Sequence, residues 1–185
     1  MNNPLLELDS LPAFGRIKAG HARPALEKVL ADNRAKLAEL TAQPHPTFAS
    51  LVEPVEELSY TLSRVWSPIG HLNAVANSAD MREAYNECVP LLTAYSSELG
   101  QNTRLQEGYA YVLQHEGAAL DPSQRKVVDN ALRDFRLAGV DLGPDEKVRG
   151  RLGRRRLAIG QAPLVDRLHP PRIGVERERA GERHG

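Results

Sequence analysis

The most regular hydrophobic pattern lies in the middle of the chain. Apolar residues there recur at spacings of three and four, which places them on one face of an α-helix. This stripe, called the 81–99 stripe below, consists of Met81, Ala84, Tyr85, Cys88, Leu92, Tyr95 and Leu99. Other helices must cover a stripe of this length, so we predict a helix at the centre of a helical core.

Both ends of this central helix are marked by local signals. Asn77 and Ser78 offer N-cap oxygens before the stripe, and Asp80 would lie at the positive end of the helix dipole. Gly100 and Asn102 follow the stripe, and residues of these types commonly end helices. The pattern therefore predicts a helix that begins after Ser78 and ends near Gly100.

The chain before residue 47 is predicted to hold a strap and one helix. Prolines and glycines punctuate residues 1–21, which we expect to lie as an irregular N-terminal strap across the helices. Residues 24–41 are predicted to be helical, with Pro24 in the first turn. Its buried face would consist of Leu26, Val29, Leu30, Leu37 and Leu40. The two prolines within 43–46 then break the helix, because each disfavours helical geometry in the residue before it.

The next helix is predicted over residues 47–66, with Thr47 as its cap. Its buried face would consist of Leu51, Val55, Leu58, Leu62 and Val65. Pro54 is expected to bend it, and Pro68 marks a kink before the helix resumes at 69–76.

Two further helices follow the central one. Residues 103–114 are predicted to form a shorter helix, and Asp121 reads as the cap of a strongly amphipathic helix that Gly139 ends. Salt bridges at a spacing of four are predicted within that helix for Arg125, Asp129 and Arg133. Residues 143–146 look like the start of one more helix. The fold class predicted is all-α, an antiparallel bundle or array of five to six helices.

The charge distribution divides the chain in two. The net charge of zero combines 13 Lys and Arg against 20 Asp and Glu in residues 1–146 with 11 against 4 in residues 147–185. The second segment holds ten arginines beside one lysine, six of the 14 glycines and no aromatic residue. Without any sustained helical period, residues 147–185 are predicted to be a disordered tail.

Composition also restricts the compartment. The apolar runs are far shorter than the roughly 20 residues of a membrane helix, and the N-terminus lacks the pattern of a secretory signal. A single cysteine forms no internal disulfide. We therefore expect a cytoplasmic protein without membrane contact.

A search for catalytic chemistry finds one incomplete motif. His115 and Glu116 begin like H-E-x-x-H, in which two histidines one turn apart bind zinc, but Ala119 stands where the second histidine belongs. We expect a surface loop there. The remaining chemically active side chains have structural interpretations: His71 as a hydrogen-bonded histidine near a kink, Cys88 as an inert buried thiol and Trp66 as a packing anchor. The sequence therefore predicts no catalytic, cofactor-binding or metal-binding residue.

The basic segment allows a different hypothesis. Five arginines between 149 and 156 would attract phosphates electrostatically. They lack interleaved aromatic residues and a folded frame, so we expect no specific nucleic-acid partner.

Long stretches of residues 1–146 resemble the N-terminal region of the thimet oligopeptidase family of zinc metallopeptidases, its oligopeptidase A group in particular. The resemblance is carried by NPLLELDSLPAF, by SRVWSPIGHLNAVANSADMREAYNECVPLLTAYSSELGQN and by QRKVVDNALRDFRLAGVDL. It implies a cytosolic enzyme that cuts short peptides in a deep channel. It also implies a zinc site on H-E-x-x-H and a downstream glutamate, at positions beyond residue 185.

Two departures shape the hypothesis. No zinc motif is present, so no catalytic or metal-binding residue is carried over. The likeness also gives way near Lys147 to Arg/Gly/Pro-rich sequence, which is what misread G+C-rich codons would yield. We therefore predict a truncated N-terminal region, inactive alone, with a tail created by a frameshift.

Two expectations about the surface follow. Loss of later helices would leave the 81–99 stripe exposed and make the product marginal or prone to aggregation. The alternative is a stand-alone helical module that holds a partner helix or peptide on the same stripe.

Overall fold

A computed structural model describes residues 3–76 and 78–140, and in this part of the chain the secondary structure is helical, without strands. Five α-helices follow one another: α1 Ala19–Leu40, α2 Glu53–Val75, α3 Ala79–Gly100, α4 Thr103–Glu116 and α5 Pro122–Ala138. The all-α prediction is confirmed. The predictions for residues 143–146 and for the tail at 147–185 lie outside the described residues, as does Asn77.

Helices α1 and α3 pack side by side in the same direction. Arg23 on α1 lies 3.9 Å from Glu87 on α3, and Arg34 lies 2.7 Å from Glu98. Both pairs are 64 residues apart, so the two helices advance together. Helix α2 precedes α3 by a short link and therefore runs opposite to both.

Helices α4 and α5 form an antiparallel hairpin. The Tyr109 and Phe135 rings meet edge-on with centroids 5.9 Å apart, and Arg125 Nη1 donates to the carbonyl oxygen of Gly117 across the turn at 3.0 Å. At the other end the hairpin packs on α3, where a Cβ placed on Gly100 would lie 3.0 Å from Ala138 Cβ.

The 81–99 stripe is buried against α1 and α2. Met81 is 6% exposed, Cys88 0%, Leu92 4% and Tyr95 4%, while Ala84, Tyr85 and Leu99 are half-buried. The expectation of an exposed stripe is therefore wrong, because the parallel packing of α1 supplies the cover that we assigned to missing helices. The stripe is also not available to hold a partner helix.

The start of α1 differs from the prediction. The helix begins at Ala19, so Pro24 lies in the second turn rather than the first. His21 Nδ1 accepts a hydrogen bond from the backbone N–H of Lys18 at 3.1 Å, which caps the earlier start. Ala22 is fully buried, so the added turn packs against the core. Packing offsets the hydrogen bond that Pro24 cannot donate.

Helix α2 is preceded by a π-helical turn, Phe48–Val52, and it continues without a break through Pro68. Thr47 caps the turn as predicted, its side-chain oxygen accepting from the Ser50 N–H at 3.0 Å. Pro54 lies in the first turn of α2, where a missing N–H costs little. The predicted break in the helix between residues 66 and 69 is wrong. The Pro68 ring is buried there and packs under the N-terminal strap.

The N-terminal strap is confirmed and is tied to α2. It contains two 3₁₀ turns, Pro4–Leu6 and Phe14–Arg16, and buries Leu5 and Ile17. Arg64 Nη2 donates to the carbonyl oxygens of Leu8 at 2.7 Å and Ser10 at 2.6 Å. The strap therefore closes one side of the core through backbone contacts as well as apolar ones.

The ends of α4 and α5 follow local chemistry. Asn102 caps α4 by accepting from the Leu105 N–H at 3.0 Å, so it starts a helix instead of ending α3. Asp121 accepts from the N–H groups of Ser123 and Gln124, as predicted for a cap. Gly139 ends α5 in the left-handed conformation, with φ 77°.

One of the two salt bridges predicted within α5 forms. Arg125 lies 3.9 Å from Asp129, and Arg133 lies 3.5 Å from Asp134 rather than beside Asp129.

Candidate functional site

The incomplete zinc motif lies at the carboxyl end of α4. His115 and Glu116 form its last two residues, and only the stretch from Gly117 to Leu120 is a loop. The expectation of a loop is therefore wrong for the first two positions. Glu116, the last residue of the helix, reaches a partner distant in sequence.

That partner is the backbone of the π-helical turn before α2. Glu116 Oε2 accepts a hydrogen bond from the Phe48 N–H at 2.7 Å, across 68 residues. The N–H groups at the start of a helical segment lack intrahelical partners, and a carboxylate is a good acceptor for them. The carboxylate therefore joins α4 to the start of the π-helical turn.

His115 is held just as firmly. Its ring stacks on Tyr111 with centroids 3.8 Å apart, and its Nδ1 lies 2.9 Å from the carbonyl oxygen of Tyr111. The Tyr111 hydroxyl lies 3.0 Å from Nδ1 of His45. The two histidines thus flank one tyrosine and fix the loop at residues 41–47 against α4.

These side chains do not fit a zinc site. A structural or catalytic zinc needs at least three protein ligands around one point. Within residues 3–76 and 78–140, no three His, Cys, Asp or Glu side chains are placed to hold a metal. His115, at the first ligand position of the motif, contacts the Tyr111 carbonyl oxygen, and Glu116 accepts a hydrogen bond from the Phe48 N–H. The prediction that the whole chain lacks site residues stays a prediction.

The structure also places the other candidate side chains. Cys88 is fully buried, and this desolvation raises the pKa of its thiol to about 11, so the predicted inert cysteine is supported. Trp66 is fully buried and stacks on Tyr85 with centroids 4.8 Å apart, which confirms the packing anchor. His71 is exposed and lies against Phe14 at 5.2 Å, so the hydrogen-bonded histidine expected there is wrong.

A cleft of about 290 Å³ lies beside the histidine pair, between the loop at residues 41–47 and α4. Its apolar side is formed by Leu40, Pro44, Pro46 and Leu51. Its polar lining comes from both sides, with Thr41 and Gln43 on the loop and Arg104, Glu107 and Tyr111 on α4. Sequence analysis missed this cleft because it depends on how a proline-rich loop meets a helix 60 residues later.

Helices of the described part are also too short or too polar to cross a bilayer.

Comparison with known proteins gives a consistent result. The family model for the Neurolysin/Thimet oligopeptidase N-terminal domain matches residues 26–147. Oligopeptidase A of Haemophilus influenzae is 42% identical over 150 residues, which cover 80% of this chain and 22% of that protein. Oligopeptidase A of Salmonella typhimurium is 42% identical over 163 residues, with 86% and 24% covered. Oligopeptidase A of Escherichia coli is 40% identical over the same length.

The alignments define which part of these relatives the chain matches. The chain spans less than a quarter of the length of the three relatives. The Salmonella alignment covers a larger share of the chain than residues 1–146 make up, so it takes in part of the basic segment. With the helical fold, the family match over most of residues 1–146 shows that this chain belongs to the thimet oligopeptidase family, through its N-terminal domain.

Proposed function

We propose that the chain is the N-terminal helical part of an oligopeptidase A-type peptidase, which as a whole enzyme hydrolyses short peptides. The observation that carries this proposal is the family match over residues 26–147, together with three bacterial relatives at 40–42% identity. A cytoplasmic location is part of the proposal. Its support is one Arabidopsis thaliana relative, 29% identical, that is named a probable cytosolic oligopeptidase A; a second, 30% identical, is named an organellar oligopeptidase A.

We also propose separate roles for this chain and for the rest of the enzyme. The helices of this chain contribute a wall of the peptide channel, and the metal-binding and catalytic residues come from sequence beyond this domain. This is supported by the lack of fit to zinc in the described residues, where Glu116 is bound to Phe48. The 185-residue chain alone is therefore expected not to cleave peptides.

The part of residues 147–185 that lies beyond the alignments with the Salmonella and Escherichia coli relatives is proposed to be translated in a shifted frame. The support is compositional, since arginine is abundant, lysine occurs once and aromatic residues are absent. The nucleotide sequence tests this directly. If no alternative frame downstream encodes family-like helices and H-E-x-x-H, the frameshift is excluded. No specific nucleic-acid partner is proposed for the segment.

Peptidase assays test the function. The purified 185-residue chain and a version extended in the corrected frame are each incubated with a quenched fluorescent peptide, with added zinc or with chelator. We expect chelator-sensitive cleavage by the extended protein and none by the chain alone. Chelator-sensitive cleavage by the chain alone, after removal of host peptidases, would overturn the proposed division of roles. An inactive extended protein that folds would overturn the peptidase assignment.

A further inference from the structure

We infer that Asn33 fixes the position of α1 along α2 and α3, and that it does so without adding to the stability of the fold. Asn33 is 2% exposed, and in the part of the chain that the structure describes it is the only buried residue with an amide or charged side chain. This inference concerns the helical core and is independent of the proposed peptidase function.

Asn33 makes polar contacts with both neighbouring helices. Its Nδ2 donates to the carbonyl oxygen of Leu58 on α2 at 3.2 Å, and a hydrogen bond joins its side chain to the hydroxyl of Tyr95 on α3. The Leu58 carbonyl lies inside a helix, where its second lone pair can accept from a side chain. The amide is therefore paired only at the one position of α1 where Leu58 and Tyr95 both come within reach.

The leucines of α1 do not fix that position by themselves. Leu26, Asn33 and Leu40 follow one another at a spacing of seven, and so do Leu30 and Leu37. All five residues are buried. A shift of α1 by seven residues, about 10 Å along its axis, would put Leu37 at the present site of Leu30. Apolar contact at the centre of the helix would therefore change little.

Asn33 makes the shifted arrangements unfavourable. After such a shift its amide lies at the site of a leucine, away from Leu58 and Tyr95, and a buried amide without partners is costly. A single asparagine in the apolar seam between paired helices selects one register in this way, at a cost in stability. The exposed pair of Arg34 and Glu98 favours the same register, but water screens it.

The test replaces Asn33 by apolar residues in the full 185-residue chain. Asn33→Leu completes the row of leucines, and Asn33→Val is a smaller alternative if the longer side chain overpacks the core. NMR of the indole N–H of Trp66, the only tryptophan, counts the folded states. Nuclear Overhauser contacts of the Tyr95 ring identify the residue of α1 that lies beside it. Urea unfolding measures stability.

The two registers give different contacts. The unmodified chain should show one indole signal and contacts from the Tyr95 ring to Asn33. In the variants we expect a second set of signals, with contacts from the Tyr95 ring to Leu26 or Leu40. The equilibrium constant of unfolding should fall or stay within about threefold of its original value, as when other buried polar contacts are replaced by apolar ones.

Leu37→Val is the control, because it removes a buried methylene from the same face of α1 and leaves the Asn33 contacts intact. It should raise the equilibrium constant of unfolding about three- to tenfold and keep one set of signals. A single register in every Asn33 variant that folds would overturn the inference. Failure of both variants to fold would also overturn it, since Asn33 would then be needed for stability.

Discussion

Arg34 on α1 and Glu98 on α3 form a two-bond ion pair, with Nε 2.7 Å from Oε2 and Nη2 3.1 Å from Oε1. The same guanidinium lies over the Tyr95 ring, 5.5 Å from its centroid. Arg34 therefore contacts two successive turns of α3 and sets the register of the parallel pair. About half of each charged side chain remains exposed, so water screens the interaction.

This pair predicts a small dependence of stability on pH. The hydrogen bond from Arg34 lowers the pKa of Glu98 below its ordinary value of 4.5. A carboxyl group whose pKa is lowered in the folded state stabilises that state at pH values above the ordinary pKa. This contribution is lost as the pH falls through the lowered pKa.

Glu98→Gln should therefore reduce the free energy of unfolding at pH 7 by less than about 1 kcal/mol, and by less still at pH 3. Urea unfolding at both pH values measures this. Glu83→Gln on the same helix is the control, since it removes an exposed carboxylate without touching the pair. An equal loss at both pH values would show that the charge of Glu98 is not responsible.

The bond from Phe48 to Glu116 predicts a structural role for the zinc-like fragment. Glu116→Ala leaves the Phe48 N–H without its acceptor and should cost about 1–2 kcal/mol of unfolding free energy. Glu116→Gln keeps an acceptor oxygen and should cost less. Chemical denaturation compares them, with Gln114→Ala as an exposed control on the same helix.

If the Glu116→Ala and Glu116→Gln variants were both as stable as the unmodified chain, the hydrogen bond between Phe48 and Glu116 would be dispensable for stability. Zinc titration of the same proteins should show no change in stability in any of them.

Cys88 predicts protection from thiol reagents. The thiol is fully buried and burial raises its pKa to about 11, so almost no thiolate is present at pH 8. A disulfide reagent added at pH 8 should label Cys88 of the native chain only as fast as the helices around it open. In urea, where the chain is unfolded, labelling should be immediate. Rapid stoichiometric labelling of the native chain would mean that α1 does not cover the 81–99 stripe in solution.

Two glycines predict opposite effects of the same substitution. Gly139 has φ 77°, where an alanine is strained, so Gly139→Ala should cost about 1–2 kcal/mol. Gly20 lies in the first turn of α1 with no atom within 4 Å of an added Cβ, so Gly20→Ala should gain about 0.5–1 kcal/mol.

Thermal and urea unfolding of the two variants measure both signs. A gain from Gly139→Ala would contradict the left-handed end of α5, and a loss from Gly20→Ala would contradict the early start of α1.

Features set by neighbouring residues were predictable. Thr47, Asp121 and Gly139 act where the sequence placed them, because each interacts with groups two to four residues away. The family could also be inferred, since long stretches of residues 1–146 carry it. Helix boundaries predicted from prolines were wrong: Pro24 and Pro68 lie inside helices, because burial of the surrounding turns offsets the lost backbone hydrogen bonds.

The sequence by itself determined that α3 has an apolar stripe and that the helices around it have complementary faces. Only the tertiary structure decided that α1 runs parallel to α3 and covers that stripe, since a periodic pattern states which face is buried and not which helix buries it. The same holds for Glu116, whose local motif suggested metal chemistry. Its partner Phe48 lies 68 residues away, and only the folded chain brings the two together.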